Sequence, residues 1–332
     1  MKKTFLFGAG FNLDANSLVT PKVTTNWLGQ EYNIREPYLD MIQFAPHIFP
    51  AEQVSNFEER LAQALNEGDT DRLQEFVCKL MAADYYTANR LEETHIYSRF
   101  LEYCGPTTFL TFNYDSLMEI QLFKQGHWYP HDGFGVQAIA KPQSSSILPS
   151  GAKSINKVLH LHGTYLLYSD SVNFTDSSSG TILEFGKPRF IFDPERLSPV
   201  FSRETSEGDY LCYPSQPADL AWKHPQNRIL APIPDKAQSL TKPYIQECYS
   251  QAAQIISQSE ALVAIGYSFP DSDSASYTPL LNSLFSQRKG KVFVINPEAE
   301  KIVKQLQKKL PGNYEPIRLS FKEWTVMDFP LH

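Results

Sequence analysis

Residues 109–115 read Phe109-Leu110-Thr111-Phe112-Asn113-Tyr114-Asp115, and the fold follows from how that stretch is read. After Pro106 the run Thr107 to Phe112 is β-branched and aromatic, with Gly105-Pro106 before it and a helix-like pattern, Ser116 to Lys124, behind it. This predicts a short buried strand that ends in polar groups, Asn113 and Asp115, which a buried strand would not choose. In open α/β sheets the carboxyl ends of strands are where ligands sit. Asp115 or Ser116 could equally cap the following helix. Asn113, one residue inside the turn, is the stronger candidate for function.

The same design recurs on both sides of this stretch. Thr4 to Phe7 predicts a first strand, followed at once by Gly8-Ala9-Gly10-Phe11-Asn12. Glycines in that place let backbone amides approach a phosphate without interference from a Cβ. A nicotinamide dehydrogenase fingerprint would need a third glycine at position 13, where Leu13 stands. Lys157-Val158-Leu159-His160-Leu161-His162-Gly163 predicts another strand over Val158 to Leu161, whose alternation would put His160 and His162 on one side of the sheet. A metal-binding pair and a histidine satisfied in the core are both open readings. Gly163 lets the backbone turn sharply and would leave the His162 imidazole open to a cleft, where a group of pKa near 6.5 suits a base.

Later in the chain, Ala261-Leu262-Val263-Ala264-Ile265 is a fully apolar strand running into Gly266-Tyr267-Ser268-Phe269-Pro270-Asp271-Ser272-Asp273. Lys291-Val292-Phe293-Val294-Ile295 is another and leads to Asn296-Pro297. Helical patterns near Tyr244 to Ser259, Ala275 to Gln287 and Glu300 to Lys309 separate the strands, and a last strand is expected near Ile317 to Phe321. Continuous apolar strands alternating with helices indicate an α/β fold with a doubly wound, Rossmann-like parallel sheet. The expected organisation is one domain over 1–332. It carries a helical insertion at 55–103, where Phe57, Leu61, Leu65, Leu73, Phe76, Val77, Leu80 and Met81 give helical spacing. A proline-rich, irregular insertion or lid is expected at 169–240, and a long loop at 14–50 is read as partly covering a cofactor.

Composition bounds the function. The 332 residues suffice for a sizeable core, and 42% hydrophobic with 20% charged content excludes wholesale disorder. A formal net charge of −7 argues against direct binding to nucleic acid or to an anionic membrane. No apolar run approaches the roughly 20 residues a membrane-spanning helix needs, and Met1 to Phe7 is too short for a signal peptide, so a cytoplasmic protein is expected. Cys78, Cys104, Cys212 and Cys248 are widely spaced, unlike a zinc ribbon or a disulfide framework. His127 and His131, in a turn-rich aromatic segment, lack a ligand partner at convincing spacing and read as solvated loop residues. The aromatic share, 13%, fits an aromatic pocket and an ordinary core equally well.

Four strand ends in this order resemble the sirtuin family. Gly8-Ala9-Gly10 resembles its glycine-rich first turn, Thr111-Phe112-Asn113-Tyr114-Asp115 its Thr-x-Asn-x-Asp motif, and His162-Gly163 its catalytic His-Gly. Gly266-Tyr267-Ser268 and Asn296 are similar to its later adenosine-binding turns. The nearest variety is the bacterial sirtuin-like, NAD-consuming effectors of antiphage defence. Family members that deacylate proteins hold a zinc with two Cys-x-x-Cys pairs, which this chain lacks. Asn12 stands where many relatives have Ser, and Phe11 where they have a smaller residue.

The resemblance implies NAD as substrate and no zinc. Gly8, Ala9, Gly10 and Asn12 would lie along the pyrophosphate turn, Asn113 at the nicotinamide ribose and Asp115 at the carboxamide. His162 would act on the ribose hydroxyls or on the attacking water, and Gly266, Ser268 and Asn296 would hold the adenosine end. Nicotinamide leaves NAD as a neutral molecule, so no general acid is needed. The cleft must instead stabilise a ribosyl cation and control one water. The expected activity is NAD hydrolysis to nicotinamide and ADP-ribose, with Asn113 and His162 catalytic. Protein deacylation, ADP-ribosyl transfer, and non-catalytic NAD or ADP-ribose binding remain alternatives. A homo-oligomer, or a partner such as an Argonaute-like or ATPase subunit, would supply control.

Overall fold

A computed structural model describes residues 1–11, 23–25, 31–33, 95–113, 115–140, 151–164, 166–170, 189–192, 243–287 and 290–331. Its strands are β1 (Lys3–Phe7), β2 (Val23–Thr25), β3 (Glu31–Asn33), β4 (Thr108–Thr111), β5 (Ala138–Ala140), β6 (Lys157–His160), β7 (Tyr168–Asp170), β8 (Arg189–Phe192), β9 (Ala261–Ile265), β10 (Lys291–Ile295) and β11 (Tyr314–Ile317). Its helices are α1 (His95–Cys104), α2 (Leu117–Lys124), α3 (Pro243–Ser257), α4 (Ser274–Phe285), α5 (Ala299–Lys309) and α6 (Phe321–Val326), with a 3₁₀ turn at Asp271–Asp273 before α4.

Six strands, every adjacent pair parallel, form the main sheet in the order β11-β10-β9-β1-β4-β6. The chain starts in the middle at β1, winds outward through β4 and β6, then returns to β9 and winds the other way. This is the doubly wound order of dinucleotide-binding folds, with its reversal between β1 and β9. The apolar strands of the sequence form the centre. All five residues of β9 are buried, as are the last four of β1 and of β10. A parallel sheet covered on both faces requires such runs. Smaller sheets pair β2 with β3, and β5 with β8 and β7.

Among the described residues, many of the aromatic side chains go into packing. Phe5, Phe7, Phe11, Tyr97, Phe100, Phe109, Phe321, Trp324 and Phe329 belong to one buried cluster. Phe100 of α1 meets Phe5, Phe7 and Phe109 of the sheet and Phe321 and Trp324 of α6, with centroids 5.3–6.2 Å apart. Burying each such ring contributes roughly 2–3 kcal/mol before entropy is counted.

The carboxyl terminus differs from the sequence expectation. The last strand is Tyr314–Ile317, and Phe321 opens a helix rather than closing a strand. Ser320 and Glu323 form a reciprocal capping box, each satisfying the other's backbone amide. That local signature outweighs the short apolar run. Pro316 is tolerated because β11 is an edge strand. Of the expected helical insertion at 55–103, residues 55–94 lie outside the described residues, as do the 14–50 loop apart from β2 and β3, and 169–240 apart from 169–170 and 189–192. The parts of 169–240 that are described belong to strands β7 and β8.

Candidate active site

The ends of β1, β4, β6 and β9 converge because their strands are neighbours in the sheet. After β1, Gly8 donates to the Ile265 carbonyl (3.1 Å), and residues 9–11 are helical. Gly10 N–H donates to the Gly266 carbonyl at 2.8 Å. The two turns touch so closely that a Cβ on Gly8 would lie 2.6 Å from the Tyr267 Cα, and one on Gly266 would lie 2.1 Å from the Phe11 nitrogen. Gly266 also sits at φ +63°, in the left-handed region. These glycines therefore have a packing role: they let β1 and β9 meet at the sheet's reversal. Asn12 lies outside the described residues.

Asn113 stands just beyond β4 and is buried (8% exposed). Its side-chain Nδ2 donates to the Gly8 carbonyl at 3.1 Å, and its backbone N–H donates to Thr111 Oγ1 at 3.0 Å. A carbonyl can only accept, so the amide orientation of Asn113 is set: the NH₂ faces Gly8 and Oδ1 faces elsewhere. Asp115 Oδ1 accepts from the Leu117 N–H at 3.1 Å and so caps α2, while Ser116 makes no side-chain cap bond.

The two histidines have different partners. Strand β6 ends at His160, so strand alternation does not extend to His162 and the expected shared side does not arise. His160 is fully buried, with Nε2 against Glu119 Oε1 of α2 and Nδ1 3.1 Å from the Asn113 carbonyl. Burial pulls its pKa down, but the Glu119 carboxylate, the Asn113 carbonyl and Asp115 outweigh that and raise it above the usual value. His162, after the strand, precedes Gly163 at φ +85°. Its imidazole is enclosed rather than open, at 3% exposed. The ring lies 4.6 Å from Phe112, and its Nε2 is 3.9 Å from Asp273 Oδ1. Phe112 in turn stacks on Tyr267 at 4.6 Å, and the Tyr267 hydroxyl donates to Asp273 Oδ2 at 2.9 Å. Burial and Asp273 hold the Tyr267 phenol far above its ordinary pKa, so it stays a neutral donor.

Of the residues singled out from sequence, the structure joins Gly8 to Asn113, Gly10 to Gly266, and places His162 beside the turn that follows Gly266. Ser268, exposed, and Asn296, half-buried, stand beyond the reversal at the ends of β9 and β10. Asn296 Oδ1 accepts from the Glu298 N–H (2.9 Å). Sequence reasoning missed Asp273 and the Glu119–His160 pair. Asp273 closes the polar turn after β9 that the sequence displays, but only the path of that turn brings it to His162. Glu119 gave a signal: a carboxylate inside a short helix buried from Leu117 to Leu122 needs a partner. Among the described residues, no group of three or more His, Cys, Asp or Glu could hold a metal ion, and no helix is long and apolar enough to cross a membrane.

The class so defined is a doubly wound, Rossmann-like α/β protein with polar residues gathered at the carboxyl ends of its central strands. A family model described as the SIR2-like domain matches residues 107–315, well over half of the 332. The chain belongs to the SIR2-like domain family, and membership points to NAD-dependent chemistry in the general sense. A solved Sir2 homologue, a triple mutant in complex with 2'-O-acetyl ADP ribose, aligns over 98% of this chain and 91% of its own, with 15% identity and a TM-score of 0.34. The fold is defined by the order of the sheet itself. No curated protein matches the chain.

Proposed function

We propose that this protein hydrolyses NAD at the nicotinamide–ribosyl bond, giving nicotinamide and ADP-ribose. The observation that supports it most is the pairing, at adjacent strand ends, of an oriented Asn113 with a His162 backed by the Asp273 carboxylate. The reaction breaks one C–N bond, whose electron pair goes to the ring nitrogen and neutralises the pyridinium. Water adds to the ribosyl carbon and loses a proton. In this reading the Asn113 Oδ1 and its second Nδ2 hydrogen orient a ribose hydroxyl and the water. His162 takes the proton, and Asp273 stabilises the imidazolium that results. Gly8, Ala9 and Gly10 would lie along the pyrophosphate, Asp115 at the carboxamide, and Gly266, Ser268 and Asn296 at the adenosine end.

Uncontrolled NAD hydrolysis would exhaust a cell, so the reading includes control by self-assembly or by a partner protein, as in a NAD-depleting effector of antiphage defence. Incubating the purified chain with NAD across protein concentrations, and measuring nicotinamide and ADP-ribose, tests it. Peptide-independent release of both products, abolished by His162→Ala and Asn113→Ala, is expected. NAD left intact at every concentration, or full activity in His162→Ala, refutes it.

A further inference from the structure

We infer that the buried Glu119–His160 pair is a positioning device that holds Asn113 in its working orientation. The inference rests on the proposed role of Asn113, although its geometry does not. His160 closes β6 and Glu119 lies in α2, the helix that begins just after Asn113. Both side chains are essentially inaccessible to solvent, at 0% and 1%.

The hydrogens of this pair can be assigned from its partners. The Asn113 carbonyl, 3.1 Å from Nδ1, can only accept, so Nδ1 carries a hydrogen. Nε2 then pairs with Glu119 Oε1. Two facing acceptors cannot pair without a hydrogen, so one proton lies between them. The pair is therefore neutral overall, whether written as imidazolium with carboxylate or as imidazole with carboxylic acid. In both forms Glu119 fixes the tautomer that donates from Nδ1, the arrangement by which a carboxylate orients a histidine.

The consequence falls on Asn113. Its N–H goes to Thr111 Oγ1, its carbonyl accepts from His160, and its Nδ2 donates to the Gly8 carbonyl. The residue is thus tied to the ends of β4, β6 and β1 together, leaving Oδ1 as the acceptor presented to a ligand. Behind His160, helix α3 supplies Tyr244 and Cys248, both buried. Burial pushes the Cys248 thiol up to about 12 and the Tyr244 phenol well above its usual range. Neither competes for the proton of the pair. Within the proposed site, the residue that His160 hydrogen-bonds through its ring is Asn113.

The test compares Glu119→Leu with Glu119→Gln. Leucine fills the space but lets His160 lose its preference for the Nδ1–H tautomer. Glutamine can donate its amide to Nε2 and restore that preference. Glu119→Leu is expected to lower kcat for NAD cleavage at least tenfold with KM within about twofold, and Glu119→Gln to recover it to within about threefold. A structural role alone would move both variants together with their melting temperatures. Long-range ¹⁵N–¹H spectra of histidine-labelled protein provide a readout independent of turnover. In the wild type, Nδ1 of His160 should be protonated, and in Glu119→Leu the Asn113 side-chain amide signals should shift. An unprotonated Nδ1, or unchanged kcat in a folded Glu119→Leu, overturns the inference. A wild-type protein that shows the protonated Nδ1 yet leaves NAD intact would sink the hydrolase reading while leaving the positioning of Asn113 supported.

Discussion

Gly266→Ala probes the contact on which the cleft depends. An alanine at φ +63° pays the left-handed penalty of about 1 kcal/mol. Its Cβ would lie 2.1 Å from the Phe11 nitrogen and 2.3 Å from the Gly10 carbonyl carbon, both backbone atoms that cannot swing aside. The β1 and β9 turns must separate by about 1 Å or more, which costs a further 1–2 kcal/mol or so as overpacking. Separation also breaks the Gly10 N–H to Gly266 carbonyl bond (2.8 Å), a loss of about 1 kcal/mol. The expected destabilisation is about 3–4 kcal/mol. With an unfolding entropy of about 2.1 cal/mol/K per residue, a 332-residue chain should melt about 5 °C lower. Gly151→Ala is the control: its φ is +75°, yet nothing lies within 4 Å of the added Cβ, so only the backbone penalty of about 1 kcal/mol applies. Thermal and urea unfolding of both variants measure the difference. NAD cleavage assayed well below the melting point should fall more than tenfold in Gly266→Ala alone, because a shift of about 1 Å in a site can cost about a hundredfold. If Gly266→Ala loses no more stability than Gly151→Ala and cleaves NAD as the wild type does, the close approach of the two turns is not what shapes the site.

Asp273→Asn removes a charge 3.9 Å from His162 Nε2 and is expected to lower kcat by about ten- to a hundredfold with little change in KM, measured by nicotinamide release. Tyr267→Phe, which loses only the 2.9 Å bond to Asp273, should cost less in the same assay. Phe100→Ala should destabilise the fold by about 3–5 kcal/mol in urea unfolding, since its ring is 0% exposed and central to the aromatic cluster. The raised pKa of His160 means that the folded state holds its proton more tightly than the unfolded chain does. The stability this contributes is complete below the unfolded value, about 6.5, and is lost as pH rises through the higher folded value. The difference in unfolding free energy between wild type and Glu119→Gln should therefore shrink from pH 6 upward, and a difference independent of pH would count against the pair.

Most of the central sheet could be read from the chain directly. Strands β9 and β10 have the expected boundaries because a fully buried parallel strand must be apolar at every position, which leaves an uninterrupted run. The turn glycines were equally visible, since no other residue type allows backbones to approach as Gly8 and Gly10 do. Asn113 and His162 stood out as polar residues where apolar strands stop. Local chemistry was present but overlooked at Ser320 and Glu323, where the capping box makes a helix of what reads as strand.

Tertiary structure alone decided which of these residues meet. The alternation of β6 placed His160 and His162 together on paper, but the strand ends between them, and each ring takes partners from a different element. Asp273 reaches His162 across 111 residues of sequence and Glu119 reaches His160 across 41, separations to which no local period corresponds. Hydrophobic periodicity reports which face of an element is buried. The pairing of polar groups depends on strand order and on the course of the turns, and these are set by packing of the whole sheet.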